Sequence, residues 1–251
     1  MRQYIFIDET GSPQFYAKRK RPLWTEPNFV PIICLGMVST DDWAQLRKKV
    51  VDFQNSILAD KLFNTIYSVR QPGWFLHARC DHSDINLKAV EFLRSLEGFR
   101  FHAVIGRKIP EIFTRKHNGS ATEFYFDLIQ KLLALHPLTE DTSYHLFLSQ
   151  RHSNTEQRFT QAFEKVLVSN SNDGKIEYKC KVVRSRDFPE LSIVDYLLWA
   201  LQRSILQGES RYFDAMEHHY EQIFDIYEDD GRGRLYTPED PFRPEKASPY
   251  K

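Results

Sequence analysis

The order of apolar segments along the chain constrains its fold more than any other feature of the sequence. β-Prone runs come first in close succession, and later runs alternate with segments whose apolar residues recur at helical spacing. Strands are predicted at 4–7, 29–38, 99–106, 144–148 and 176–183. Helices are predicted at 43–58, 84–96, 122–135, 156–168, 189–206 and 211–227. This order predicts an α/β fold with a mixed five-stranded sheet flanked by helices.

The distribution of turn-forming residues predicts a single domain. An irregular stretch at 65–84 indicates an inserted loop and helix region, and no linker divides the chain. The segment 229–251 is rich in Gly, Pro, Arg and acidic residues, which is typical of a surface strap or tail. We therefore expect one domain over 1–228, followed by a C-terminal strap or tail over 229–251.

Composition excludes some classes of protein. The 34 basic and 34 acidic side chains give no net charge, which excludes a generally basic nucleic-acid coat but allows a local basic groove. The longest apolar stretch has about ten residues, whereas a membrane helix needs roughly 20, so no membrane span is expected. The 3 cysteines are far apart, which favours a reducing cytoplasm. The sequence leaves the oligomeric state open.

Two carboxylates follow the first predicted strand directly. Asp8 and Glu9 lie between the apolar run and the turn sequence Gly11-Ser12-Pro13, at a sheet edge where α/β proteins collect ligands. Because side chains alternate along a strand, the two carboxylates begin on opposite faces, and we expect only one to point into a site. Acids that merely end a strand before a turn are the alternative interpretation.

A third carboxylate, Asp195, lies on or beside the apolar stripe of a predicted helix, between Leu191 and Leu198. A carboxylate among apolar neighbours loses hydration unless a metal, a cation or hydrogen bonds compensate it. A hydrogen-bonded structural aspartate is the alternative. A strand end and a helix that each deliver a carboxylate, Asp8 and Asp195, suit Mg²⁺ or Mn²⁺, since one or two carboxylates plus substrate phosphates typically hold Mg²⁺.

Three stretches of the sequence resemble the domain-of-unknown-function 3800 family. IFIDETGSP at 5–13 is similar to its amino-terminal motif, and WFLHA at 74–78 is similar to a segment that carries a histidine. LSIVDYLLWALQR at 191–203 resembles the helix that carries the last acid of the family. The resemblance extends to about residue 227 and therefore covers most of the chain.

This resemblance implies an RNase H-like fold, whose order of elements matches the order of segments above. It also implies a divalent-metal-dependent nuclease or phosphodiesterase that hydrolyses nucleic acid with a metal-activated water. Asp8, Glu9, His77 and Asp195 become candidate catalytic residues, with Asp8 and Asp195 as metal ligands. The imidazole of His77 could bind a metal, act as a general acid, or fill a core position.

One position departs from the expected pattern. RNase H-like enzymes usually have another aspartate at the end of the fourth strand, where this chain has Ser149. Either His77, Glu9, Asp81 or Asp84 completes the site, or catalysis is weakened or lost. The alternative function is a catalytically degenerate module that binds nucleic acid or a protein partner. A third hypothesis is a structural subunit that dimerises through 212–227.

Three arginines are candidate substrate-binding residues. Arg151 follows the fourth predicted strand, and Arg184 and Arg186 precede the predicted helix that carries Asp195. Guanidinium groups bind phosphate oxygens with paired hydrogen bonds, so these residues suit a nucleic-acid partner. Solvated loop residues are the alternative.

Overall fold

A mixed seven-stranded sheet forms the centre of the protein. The computed structural model describes residues 1–150, 156–169 and 176–247. The strands lie in the order β5-β4-β1-β2-β3-β6-β7. Their bounds are β1 Arg2–Thr10, β2 Ile32–Thr40, β3 Arg100–Arg107, β4 Ser143–Ser149, β5 Tyr178–Val183, β6 Tyr220–Asp225 and β7 Arg234–Tyr236.

Helices cover both faces of this sheet. Their bounds are α1 Trp43–Ala59, α2 Ser83–Arg94, α3 Pro110–His117, α4 Ala121–Ala134, α5 Glu156–Ser169, α6 Leu191–Gln207, α7 Arg211–Met216, α8 Glu228–Gly231 and α9 Pro244–Ala247. Three short 3-10 helices lie at Lys18–Lys20, Ser185–Asp187 and Glu217–His219. Across the described ranges, none of the helices has the length and apolar character needed to cross a membrane.

Strand directions show an RNase H-like sheet and confirm the predicted fold class. β1, β2 and β3 form an antiparallel meander, while β4 pairs parallel to β1 and β5 pairs parallel to β4. Local signals set the elements: the Asp42 side chain accepts the N–H of Gln45 at the start of α1, and Gly208, at φ 67°, ends α6.

The predicted helix over 211–227 is wrong beyond Met216. The chain forms β6 instead, parallel to β3, and β6 and β7 together give the sheet two more strands than predicted. The backbone groups of β3 would otherwise form an exposed edge, and pairing with β6 satisfies them. Tyr212, Phe213, Tyr220 and Tyr227 are all buried, so the aromatic residues of this segment pack inside the protein.

The segment after residue 228 adds to the sheet and to the core. β7 pairs antiparallel with β6. The side chains of Tyr236 and Phe242 are 1% and 5% exposed, and their rings lie 5.2 Å apart. The segment that was expected to be a strap or tail therefore contains a strand and core side chains over its described part.

Two hydrophobic cores form because side chains alternate along the strands. Phe6 of β1 packs into the core shared with α1, α2 and α6. Ile5 and Ile7 pack into the opposite core, against α3, α4 and α5. By the same alternation, Asp8 lies on the face that α6 covers, and Glu9 begins on the other face.

Gly36 of β2 allows α6 to approach the sheet closely. It is the register partner of Asp8. A β-carbon at Gly36 would lie 2.9 Å from Cγ of Leu198 and 2.8 Å from Cε2 of Phe101. Gly106 of β3 allows a similarly close approach of α4 on the other face, where a β-carbon would lie 2.7 Å from the Phe124 ring. The depth at which α6 packs therefore depends on the absence of a side chain beside Asp8.

Substitution of Gly36 by alanine is expected to lower the free energy of unfolding by about 1–3 kcal/mol, because overpacking forces side chains or backbone to move. Urea unfolding measures this loss. Gly36→Ala should also speed hydrogen exchange in α6, whereas Gly106→Ala should speed it in α4. A Gly36→Ala protein as stable as the wild type would contradict the close approach.

Candidate active site

Asp8 and Asp195 lie on the walls of one cavity of about 920 Å³. Asp8 comes from the end of β1, and Asp195 from the second turn of α6, which packs against β1 and β2. His77, from the inserted loop between α1 and α2, lines the same cavity. The structure therefore brings together three of the residues that the sequence singled out.

Asp8 lies in a concentration of negative charge. Its Oδ1 accepts the backbone N–H of Glu9 at 2.9 Å, and the hydroxyl of Ser149 donates a further hydrogen bond. Desolvation, and then repulsion from the carboxylates of Glu9 and Asp195, nevertheless raises the pKa of Asp8 to about 7. A cation placed between these carboxylates would relieve the repulsion.

One oxygen of Asp195 is held by the inserted loop. Its Oδ2 accepts the backbone N–H of Ala78 at 2.7 Å and lies 3.1 Å from Nδ1 of His77. In the described part of the chain, no hydrogen bond is made to Oδ1. The contact with Asp195 raises the pKa of His77 above its ordinary value, which favours the imidazolium form. Contacts to Oδ2 thus orient the Asp195 carboxylate, and Oδ1 is available for a ligand.

Asp81 holds the inserted loop in place. Its Oδ1 accepts the indole N–H of Trp74 at 2.8 Å. Its Oδ2 accepts the backbone N–H of His77 at 2.8 Å and the hydroxyl of Tyr196 at 3.0 Å. Since Tyr196 follows Asp195 on α6, this carboxylate ties the loop to the helix. Asp81 borders the cavity, but its hydrogen bonds serve the loop.

Glu9 follows Asp8 on β1, and Ser149 lies beside Asp8 at the end of the neighbouring strand β4. Oε2 of Glu9 accepts the hydroxyl of Tyr125 on α4 at 3.0 Å, although Glu9 also borders the cavity. The Ser149 hydroxyl, at the end of β4, lies 2.9 Å from that of Ser185. A serine therefore occupies the position beside Asp8 where the fourth-strand aspartate was expected.

Two of the three predicted arginines are described by the structure, and neither lines the cavity. Arg151 lies outside the described residues. Ser185 lines the cavity, whereas its neighbours Arg184 and Arg186 are not among the lining residues. Arg186 instead lies against the inserted loop, where a β-carbon on Gly73 would be 2.5 Å from its Nη2.

Other cations line the cavity, and sequence reasoning missed their role. They are Arg79, Lys108 and Arg203. Arg203 follows Trp199 by one helical turn, and its guanidinium lies 5.4 Å from that ring. Arg203 lies eight residues after Asp195, and this helical spacing was the only signal in the sequence that it would face the same way. Lys108 was visible only as one member of the basic pair Arg107-Lys108 in a predicted loop, and no local pattern marked Arg79.

The donor set fits a divalent metal that its substrate helps to hold. Among the described residues, no group of three or more His, Cys, Asp or Glu side chains is placed to bind a metal ion. Asp8 and Asp195 nevertheless bring two carboxylates to one cavity, where negative charge is in excess around Asp8. Two carboxylates completed by waters and substrate phosphates are a usual arrangement for Mg²⁺.

Comparison with known proteins shows a distant structural similarity. No protein-family profile and no curated protein matches the sequence. The structure is similar to a chain in the structure of the PCNA:RNase HII complex from Archaeoglobus fulgidus. The match covers 86% of this chain and 77% of that chain, with a TM-score of 0.44 and 10% sequence identity. A similarity of this size assigns neither residues nor activity.

The contact between His77 and Asp195 should be visible in the titration of His77. By NMR, we expect the pKa of His77 to lie above 6.5 in the metal-free wild type and to fall in Asp195→Asn. The stability that this contact provides is fully present below pH 6.5 and is lost as pH rises through the raised pKa. Asp84→Asn, at an exposed position of α2, is the control and should leave the titration unchanged. The same His77 pKa in wild type and Asp195→Asn would show that the contact does not form.

Proposed function

We propose that the protein is a divalent-metal-dependent nuclease or phosphodiesterase that hydrolyses nucleic acid. The observation that carries this proposal is the convergence of Asp8 and Asp195, from two different elements, in a cavity that also contains His77. A cavity of about 920 Å³ is large enough for more than a single phosphate group.

Asp8 and Asp195 would hold Mg²⁺ or Mn²⁺, with the hydroxyl of Ser149 beside Asp8. When bound, such an ion polarises phosphoryl oxygens and lowers the pKa of a coordinated water. The fixed orientation of Asp195 by the Ala78 N–H favours binding, because the protein has already ordered that carboxylate. Glu9 adds negative charge at the edge of the site.

His77 is the candidate general acid. Since Nδ1 faces Asp195, Nε2 is the nitrogen that can pass a proton to the leaving oxygen of a phosphodiester. Arg79 borders the cavity close to His77 and can contact the substrate backbone. Arg184 and Arg186 remain candidates for phosphate contacts beyond the cavity wall, and Arg151, which lies outside the described residues, remains a candidate for a phosphate contact.

A second function is favoured by Ser149. Its hydroxyl provides one neutral oxygen where an aspartate would provide a charged one, so the site has fewer anionic ligands than expected for a pair of metal ions. The alternative proposal is a catalytically degenerate RNase H-like module that binds nucleic acid or a protein partner.

Asp8→Asn should stabilise the metal-free protein although it removes a residue needed for the proposed activity. Because the folded protein raises the pKa of Asp8 to about 7, ionised Asp8 destabilises the metal-free fold at pH 8. At pH 8 the substitution should therefore increase the free energy of unfolding by about 1–3 kcal/mol. This gain should disappear below pH 4, because Asp8 is then protonated in both the folded and the unfolded protein. Asp195→Asn should give no such gain, because Asp195 is stabilised by Ala78 and His77.

The same variants test the activity. Mn²⁺ should raise the melting temperature of the wild type and of the control Asp84→Asn, but of neither Asp8→Asn nor Asp195→Asn. Cleavage of labelled oligonucleotides should fall at least about 100-fold in both site variants. Oligonucleotide binding that survives both substitutions, without cleavage by the wild type in Mg²⁺ or Mn²⁺, would contradict the nuclease and support the degenerate module.

A further inference from the structure

Lys108 is a nearly buried lysine on the wall of the cavity. It follows β3, and its side chain lies beside the chain that leads into β2. Its backbone N–H donates to the carbonyl of Pro31 at 2.8 Å, and its Nζ lies 4.7 Å from the centre of the Phe29 ring. The residue is only 8% exposed, and it lines the cavity. The position of the ammonium group is therefore fixed by its surroundings.

This ammonium group has no carboxylate partner in the part of the chain that the structure describes. Burial alone lowers the pKa of Lys108 to about 8, and no acidic group offsets that effect. Its neighbour Arg107 is different, because Nε of Arg107 lies 2.8 Å from Oδ2 of the buried Asp225. A buried charge without a partner costs folding free energy. Because Lys108 lines the cavity, an anion bound there would supply the missing partner.

Lys108 is separated from Asp8 along β2, because Asp8 pairs with Gly36 whereas Lys108 is hydrogen-bonded to Pro31, which precedes β2. The helix α6 runs in the same direction, since Thr10 of β1 donates a hydrogen bond to Gln202. Asp195, Trp199, Gln202 and Leu206 all line the cavity, at spacings that place them on one face of the helix. Asp195 and Leu206 are eleven residues apart, which corresponds to about 16 Å along the helix axis. A ligand that reaches from the carboxylates along this face must be longer than one phosphate group.

We propose that Lys108 binds a backbone phosphate of a nucleic-acid strand that lies along α6, at a position away from the phosphate held at Asp8 and Asp195. This inference rests on the proposed function for the class of substrate. The carboxylates, with their cation, would hold the phosphate that reacts. Lys108 would hold a second phosphate of the same strand and so set its direction and register in the cavity.

The test measures binding without catalysis. Fluorescence anisotropy with labelled single-stranded DNA and RNA 12-mers, in EDTA and at several salt concentrations, gives the slope of log Kobs against log[salt]. Lys108→Met should lower the magnitude of this slope by about 0.7 and weaken binding about three- to tenfold at 0.1 M salt. Lys108→Arg should keep the slope, because it keeps the charge.

Lys131 provides a matched control. Its Nζ also lies over a phenylalanine ring, 6.0 Å from the centre of Phe224, but it does not line the cavity. Lys131→Met should leave binding and slope unchanged. Lys108→Met should fold normally and be at least as stable as the wild type, because methionine fills similar volume without a buried charge, and urea unfolding of both variants checks this.

The outcomes separate this inference from the nuclease proposal. Equal slopes for Lys108→Met and Lys131→Met overturn the inference, even if the wild type cleaves nucleic acid. Absence of oligonucleotide binding by the wild type also overturns it. A slope that depends on Lys108, in a wild type that cleaves nothing in Mg²⁺ or Mn²⁺, supports the inference and overturns the nuclease.

Discussion

The packing of α6 across β1 and β2 is the interaction on which the rest of the site depends. Gly36 has no side chain, so Leu198 can lie against the sheet directly beside the register partner of Asp8. Three residues before Leu198, the same helix delivers Asp195. The position of one carboxylate relative to the other is therefore set by apolar packing, and the rigid sheet and helix keep it fixed.

The inserted loop then completes the site from a different direction. Asp81 ties the loop to Tyr196, and the loop in turn presents the Ala78 N–H and the His77 imidazole to Asp195. The carboxylates of Asp8 and Asp195 and the ammonium group of Lys108 line the same cavity at separate places. That arrangement suits a ligand whose phosphates are spaced along a chain, because the carboxylates recruit cations and the ammonium group binds anions directly.

The sequence predicted the elements that carry local signals, and it predicted part of the site. The α/β class, the helix around Asp195 and the strand that ends at Asp8 all follow from apolar spacing and turn residues. The opposite orientation of Glu9, whose side chain accepts a hydrogen bond from Tyr125 on α4, follows from strand alternation. These predictions needed only neighbours along the chain.

What the sequence could not show depends on contacts between distant segments. The segment of β6 was predicted as helix because its aromatic and apolar residues also fit helical spacing. It forms a strand because the open edge of β3 is available for it to pair with. The sequence allows Asp81 as an additional acid of the site. Its hydrogen-bond partners on the loop and on α6 come together only when the protein folds. Lys108 belongs to a basic pair whose members separate in the fold, since Arg107 pairs with Asp225 and Lys108 faces the cavity.

The most direct test of the account is anomalous diffraction from a crystal soaked in Mn²⁺. The account predicts one strong anomalous peak within coordination distance of an oxygen of Asp8 and an oxygen of Asp195, and no peak there in an Asp8→Asn crystal. Soaked wild-type crystals without a peak between these two carboxylates, or with manganese only elsewhere on the protein, would contradict the claim that they form a metal site.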